Sequence, residues 1–386
     1  MRYENENGIL TIHLEGAFDT ENAEAVGAEI QKIRDEHPDG SLVIDADDLR
    51  YISSAGLRQI LRLKKKEKDL KIINCSAEVY DIFSMTGFTE MMDIEKGYRR
   101  LSVEGCEMIG EGSNGIVYRI NPDTIVKVYK NSDALDDIKR ERELAKTALV
   151  MGINTAIPFD VVRVGDKIGS VFELLNAKSI TKLILEDRKN IDKYVKIFAD
   201  MLKEIHGTPV SSDLIPDAKK TALEWAEWLK EKIPAKTYKK LHQMIKEIPE
   251  HRFMLHGDYH TNNVHYDGVE PILIDMDTLA WGHPIFEFAS IYLAYQGFGE
   301  LDKREIEDFL KIDCDLAKEI MDKLFRFYFE DKDEAFIESV ISKARVISYT
   351  RILRRTLKRR PDEQELIDHY MKQLIEYVDK NDSLVY

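Results

Sequence analysis

A chain of 386 residues, 44% hydrophobic and 33% charged, has the composition of a folded protein of two or three domains and excludes a disordered or fibrous one. Its net charge of -15 gives no long-range attraction for nucleic acid or anionic lipid, and no stretch approaches the roughly 18 uninterrupted apolar residues of a membrane span. Cys75, Cys106 and Cys314 are too few and too scattered for a disulfide framework or a zinc knuckle and suit a reducing cytoplasm, and the N-terminus lacks the apolar run of a signal peptide.

Gly8 to Glu15 alternates as a strand, with Ile9, Ile12 and Leu14 as core candidates, and Thr20 to His37 carries Ala23, Val26, Ile30 and Ile33 at helical spacing. A second strand spans Ser41 to Ala46. A helix starting near Ser54 runs through Leu57, Ile60, Leu61 and Leu63, followed by a strand at Leu70 to Asn74 and a short helix at Ala77 to Met85. This alternation predicts a sheet covered by helices, complete near Gly97. The boundary falls between Glu95 and Glu104, with no long linker. From Cys106 to Tyr129 two strands flank a glycine-rich turn, and a third carries Val126, Lys127 and Val128. A helix at Ala134 to Met151 and strands at Phe159 to Val164 and Ile168 to Leu174 follow; helices dominate after Ile191, except for strand-like runs near Val264 and at Ile272 to Ile274. Lys64, Lys65, Lys66 and Lys68 read as a solvated helix face. The denser cluster Arg351, Arg354, Arg355, Lys358, Arg359 and Arg360 leaves an interface or phosphate-facing role open.

Four motifs carry chemistry. Gly110, Gly112, Gly115 and Val117, with Ser113 and Asn114 between them, fit G-x-G-x-x-G-x-V between two strands, where residues lacking Cβ let backbone N–H groups approach phosphate oxygens. A dinucleotide-binding site would run from this motif into a helix, whereas Ile116 to Ile120 keeps strand character. Lys127, between two valines on a strand, is a point charge for nucleotide phosphates, steered by a helix carboxylate: Glu143, with Glu141 in reserve. His256 to Asn263 reads H-G-D-x-x-x-x-N, in which Asp258 accepts a hydroxyl proton and Asn263 offers a neutral oxygen to Mg2+. Ile272, Leu273, Ile274, Asp275, Met276 and Asp277 end a short strand in a second metal ligand, Asp275, with Asp277 as helper. His256, His260 and His265 lack the cysteine or H-E-x-x-H context of a zinc site.

From Cys106 onward these motifs resemble the aminoglycoside phosphotransferase and choline kinase branch of the kinase-like superfamily, whose H-G-D and I-D-x-D replace the H-R-D and D-F-G of protein kinases. The resemblance implies a bilobal α+β kinase-like domain, with an N-lobe at 100–175 and a helical C-lobe at 176–386. Its cofactors are ATP and Mg2+, its catalytic set Lys127, Asp258, Asn263 and Asp275, and Glu173 to Leu175 is its adenine hinge. Gly282 to Ala289 is similar to the family's G-D-P-x-x-D-L-A, with His283 and Glu287 at two acidic positions as structural residues. Residues 1–99 resemble an α/β STAS domain of anti-sigma-factor antagonists through Asp48 to Leu57. Ser54 aligns with their phosphorylated serine, while Ser53 and Ala55 depart from the pattern; the alternative for Ser53 and Ser54 is a helix N-cap.

The implied activity is transfer of the γ-phosphoryl group to a small-molecule hydroxyl, with acceptor-binding helices at Asp217 to Ile248 and Ile306 to Tyr377 and the STAS-like domain regulating or recruiting a protein partner. A protein serine kinase and a nucleotide sensor without turnover remain as alternatives. The acidic chain suggests a cationic acceptor; a pocket lined by the Arg351 to Arg360 cluster would instead mean an anionic one.

Overall fold

In the first sheet of the computed structural model, which describes residues 1–112, 115–131 and 135–386, β1 (Tyr3–Glu6) pairs antiparallel with β2 (Ile9–Phe18). The chain continues through α1 (Ala23–Glu36), β3 (Ser41–Ile52), α2 (Ser54–Lys66), β4 (Lys71–Cys75), α3 (Ala77–Met85), α4 (Phe88–Met91) and β5 (Asp93–Lys96). The strands lie in the order β1-β2-β3-β4-β5, and the pairs from β2 to β5 are parallel, as helical crossovers require. Leu10, Ile12 and Leu14 form the buried face of β2. Ile9, expected in the core, is 45% exposed, because side chains alternate across a strand and position 9 is out of phase with 12 and 14. β3 continues to Ile52 rather than ending at Ala46, since Leu49 and Ile52 stay buried against β2 through two register shifts.

Gly97 and Tyr98 alone separate β5 from β6 (Arg99–Arg100), a strand too short to show a period in sequence. Then come β7 (Glu107–Glu111), β8 (Gly115–Asn121), β9 (Thr124–Tyr129), α5 (Leu135–Val150), β10 (Asp160–Val164) and β11 (Lys167–Glu173). They form a six-stranded sheet in the order β6-β10-β11-β9-β8-β7, with β6 parallel to β10, around Val126, Val128, Val162 and Val171.

The remainder is mostly helical: β12 (Lys178–Ser179), α6 (Ile180–Glu186), α7 (Ile191–Gly207), α8 (Ala218–Leu229), α9 (Ala235–Glu247), β13 (Met254–Leu255), β14 (Val264–Tyr266), β15 (Pro271–Leu273), β16 (Ala280–Trp281), α10 (Ile285–Tyr295), α11 (Arg304–Leu310), α12 (Cys314–Tyr328), α13 (Glu334–Arg359) and α14 (Gln364–Lys380). α10 is apolar almost all round and buried along nearly its whole length, packing against α12 and α13 as the central helix of the core. The chain divides into two compact units: Met1–Ile120 with Val126–Ser132 and Asp160–Val171, and Asn121–Ile125 with Asp133–Phe159 and Phe172–Tyr386. Among the described residues no helix is long and apolar enough to cross a membrane.

Candidate active site

The glycine-rich turn joins β7 to β8, where the Gly112 N–H donates to the Gly115 carbonyl at 2.9 Å. Ser113 and Asn114 lie outside the described residues. The glycines are not equivalent. A Cβ on Gly115 would sit 2.6 Å from the Val128 carbonyl oxygen of β9, so backbone proximity demands glycine there; Gly112 would meet nothing within 4 Å and Gly110 only Val117 at ordinary contact distance. On β9, Val126 and Val128 point into the sheet's core and Lys127 to the other face, half-buried, with its ammonium 5.3 Å from the Tyr129 ring.

The two candidate carboxylates of α5 differ in burial. Ile138, Glu141, Leu144, Ala145 and Ala148 share its buried face at helical spacing, leaving Glu141 only 7% exposed. Glu143, the first choice from sequence, points outward and lines a shallow hollow with Lys146, Thr147 and Pro209. Glu173 ends β11, and Leu174 beyond it donates its N–H to the Asp123 carbonyl at 2.8 Å, with Leu175 half-buried.

The H-G-D loop follows β13 and is held from three sides. The fully buried Glu287, in the first turn of α10, accepts the backbone N–H of His256 at 2.5 Å and of Gly257 at 2.9 Å. The buried His256 ring bonds the Ile274 carbonyl through Nε2 at 3.0 Å, and Thr278 donates its hydroxyl to the His256 carbonyl at 2.9 Å. Gly257 has φ +83°, and a Cβ there would lie 2.3 Å from the Thr278 carbonyl oxygen, so only glycine fits. Tyr259 is fully buried, stacked on Phe198 at 4.4 Å and donating to its carbonyl at 2.6 Å. These anchors place Asp258 between fixed neighbours, with its side chain partly open to solvent.

Asn263 is buried and donates its side-chain amide to the Asp258 carbonyl at 2.9 Å, which turns its side-chain oxygen away from that bond. Its backbone carbonyl accepts the Ile274 N–H at 2.9 Å, bringing Asn263 beside the residue that precedes Asp275. Asp275 is half-buried with φ 63°, a left-handed conformation that costs a non-glycine residue about 1–2 kcal/mol. A neutral amide oxygen on the residue before β14 and a carboxylate two residues beyond β15 are hard oxygen donors of the kind that suit Mg2+.

The sequence left an interface or phosphate-facing role open for Arg351 and gave His260 none. Arg351 of α13 donates through one nitrogen to the Gly257 carbonyl and to the Ser290 hydroxyl, each at 3.1 Å. His260 Nε2 lies 3.7 Å from the Asp258 carboxylate, near enough for charge but long for a hydrogen bond. Burial pushes the Asp258 carboxyl up, but His260 foremost, then the Arg351 guanidinium and His256, outweigh it and hold the group at about 2. In the N-terminal sheet, Ser53 caps α2 by accepting the N–H of Ala55 at 3.2 Å and Gly56 at 3.4 Å, and Ser54 stands exposed as the helix's first residue.

The model of the phosphotransferase enzyme family matches residues 106–324, and that of the STAS domain residues 1–101. Over 92 residues the chain is 30% identical to a putative anti-sigma factor antagonist, BtrV, of Bordetella bronchiseptica, covering 23% of this chain and 78% of that protein. Two solved structures of thermostable mutants of aminoglycoside phosphotransferase APH(4)-Ia share the fold at a TM-score of 0.51. One, in ternary complex with ADP and hygromycin B, is 12% identical and covers 72% of this chain and 97% of the other; the second, with AMP-PNP and hygromycin B, is 13% identical and covers 72% and 93%.

Proposed function

Because the chain belongs to the phosphotransferase enzyme family and carries an N-terminal STAS domain, we propose that it transfers the γ-phosphoryl group of ATP, with Mg2+, to a hydroxyl of a small molecule. The observation that carries this reading is the H-G-D loop clamped by Glu287, His256 and Tyr259, which fixes Asp258 next to Asn263 and, through Ile274, to Asp275.

In the proposed reaction Asp258 accepts a hydrogen bond from the acceptor hydroxyl and orients its oxygen for in-line attack on the γ-phosphorus. The bond between that phosphorus and the β–γ bridging oxygen breaks, a bond to the acceptor oxygen forms, ADP leaves, and the hydroxyl proton passes to the Asp258 carboxylate. Held at about 2, that carboxylate is ionised at neutral pH but is a weak base, so it works by positioning and takes the proton late. The Asn263 side-chain oxygen and the Asp275 carboxylate would hold Mg2+, which supplies charge neutralisation at the phosphates. Lys127 and the turn at Gly110, Gly112 and Gly115 bind phosphate oxygens, and Glu173 and Leu175 lie against the base.

The STAS domain recruits or regulates, with Ser54 as its candidate phosphosite: it is exposed at a helix start, where N–H groups favour a phosphate. Calorimetry with a non-hydrolysable ATP analogue, followed by acceptor profiling with radiolabelled ATP, tests the reading. Magnesium-dependent nucleotide binding and transfer to a small hydroxyl compound are expected. No binding at millimolar nucleotide refutes it, and efficient phosphorylation of a protein in place of small molecules replaces it.

A further inference from the structure

The C-terminal half of α13 carries Arg351, Arg354, Arg355 and Lys358 at three- and four-residue spacing, on one side of the helix. Two tryptophans of α8 meet this row: Arg351 lies 5.7 Å from the Trp225 ring, and Arg354 and Lys358 lie 5.9 and 5.0 Å from that of Trp228. In a chain of net charge -15 such cations ordinarily find carboxylates, and the neighbouring Arg360 does, pairing with Glu305 at 3.1 Å and Glu363 at 2.6 Å. Among the described residues, none of the four is in an ion pair. The buried Nε of Arg354 has no hydrogen-bond partner.

The row begins at the H-G-D loop, since Arg351 reaches the carbonyl of Gly257, the residue before Asp258. Burial first, and then the like charges of Arg359 and Arg351, push Arg355 down from the usual arginine range, while the charges of Asp258 and Glu305 oppose that shift. Arg351 spends one nitrogen on Gly257 and Ser290, and among the described residues Arg354 and Arg355 donate no hydrogen bond. A guanidinium fork presents parallel donors that match carboxylate or phosphate oxygens.

We propose, resting on the phosphotransferase reading above, that the acceptor is anionic: a small hydroxyl compound whose carboxylate or phosphate is bound by Arg351, Arg354 and Arg355, beside Trp225 and Trp228, with its hydroxyl at Asp258. This reverses the cationic acceptor that net charge alone suggests.

The test uses the full chain and two matched acceptor sets: glycerol, glycerate, glycerol 3-phosphate and 3-amino-1,2-propanediol; and glucose, gluconate, glucose 6-phosphate and glucosamine. ADP release with ATP and Mg2+ should show the acid or the phosphate exceeding its neutral and amino counterparts in kcat/KM by about tenfold or more, with the better of the two identifying the anionic group. The double variant Arg354→Glu, Arg355→Glu should erase that preference by raising KM more than it lowers kcat. Amines used as well as acids, or a preference unchanged in the variant, overturns the proposal; so does a loss of ATP affinity in place of acceptor affinity, which would assign the arginines to the nucleotide.

Failure of the parent reading is seen separately, as absent magnesium-dependent AMP-PNP binding. In that case titration of tryptophan fluorescence with glycerol 3-phosphate and glycerate still decides the anion site, because two of the three tryptophans border it. A saturable change lost in the double variant supports the site, and a flat response to both anions rejects it.

Discussion

Glu287→Ala removes a carboxylate that is 0% exposed and holds two backbone donors of the H-G-D loop, the N–H groups of His256 at 2.5 Å and Gly257 at 2.9 Å. Each donor orphaned in the interior costs about 1–3 kcal/mol, and alanine also leaves an unfilled volume, so the expected loss is about 3–5 kcal/mol. At roughly 2–4 °C per kcal/mol in a domain of this size, the melting temperature should fall by about 10 °C. Glu287→Gln keeps the volume and one acceptor but turns an NH2 group toward the other donor, and should cost about 1–3 kcal/mol. Calorimetric melting reads the stability, and amide hydrogen exchange at His256 and Gly257 reads the cause, with both amides exchanging faster in the variants. Phosphoryl transfer should fall in both through kcat more than through the KM for ATP, because the displaced atom is on Asp258. An alanine variant that melts within about 1 °C of the parent with unchanged exchange at both amides would refute the clamp.

Gly115→Ala should destabilise by about 1–3 kcal/mol and weaken nucleotide binding, since the new Cβ collides with the Val128 carbonyl, whereas Gly112→Ala should stay within about 0.5 kcal/mol in a denaturant titration; equal effects would contradict the steric distinction. Asp258→Ala should reduce transfer far more than AMP-PNP affinity, while Asp275→Ala should also weaken magnesium-dependent binding in calorimetry; parent turnover in the first variant would void the role assigned to Asp258. The Asp258 carboxyl sits at about 2 in the folded chain against an ordinary 3.8, so its stabilising contribution is complete above about pH 3.8 and lost as pH falls toward 2. Asp258→Asn should therefore flatten the acid-side fall in stability across that window, and identical acid titrations by circular dichroism would count against it. A chain starting at Tyr98 keeps β6 on the edge of the six-stranded sheet and should unfold at a higher temperature than one starting at Ser102; equal melting would show that the strand contributes nothing.

Short-range patterns made much of the molecule legible. Period-two alternation located β2, β3 and β4, and the motif H-G-D-x-x-x-x-N marked a loop that the structure anchors at several points. The phase of α5 was also present in the sequence: Glu141 lies three residues from both Ile138 and Leu144, on the apolar stripe, and is buried there while Glu143 is exposed. What stayed hidden depends on distant partners. Arg351 meets the loop across 94 positions of sequence, and Glu287 meets it across 31 and 30, so no window of local periodicity relates them. β6 contains two residues, fewer than one full alternation, and only its pairing with β10 defines it.

The junction sets a limit on what the STAS domain can do from within the chain. Gly97 donates to the Cys75 carbonyl at 2.6 Å and has no room for a Cβ against Asn74, so the chain leaves the first sheet along a fixed path and enters β6 two residues later. Beyond the backbone, Arg100 pairs with Asp47 of β3 at 2.5 Å, on side chains 77% and 30% exposed. An ion pair that open is worth at most about 1 kcal/mol, so a Ser54 phosphate that drew Arg100 away would bias any equilibrium by no more than about fivefold through this contact. A larger effect through this junction would require β6 itself to part from β10, which breaks strand hydrogen bonds and removes the path to the Leu101 N–H, bonded to the Arg163 carbonyl at 2.8 Å. A partner protein gathered on the exposed start of α2 would face no such ceiling, since its binding energy would come from a new interface rather than from the Arg100–Asp47 pair.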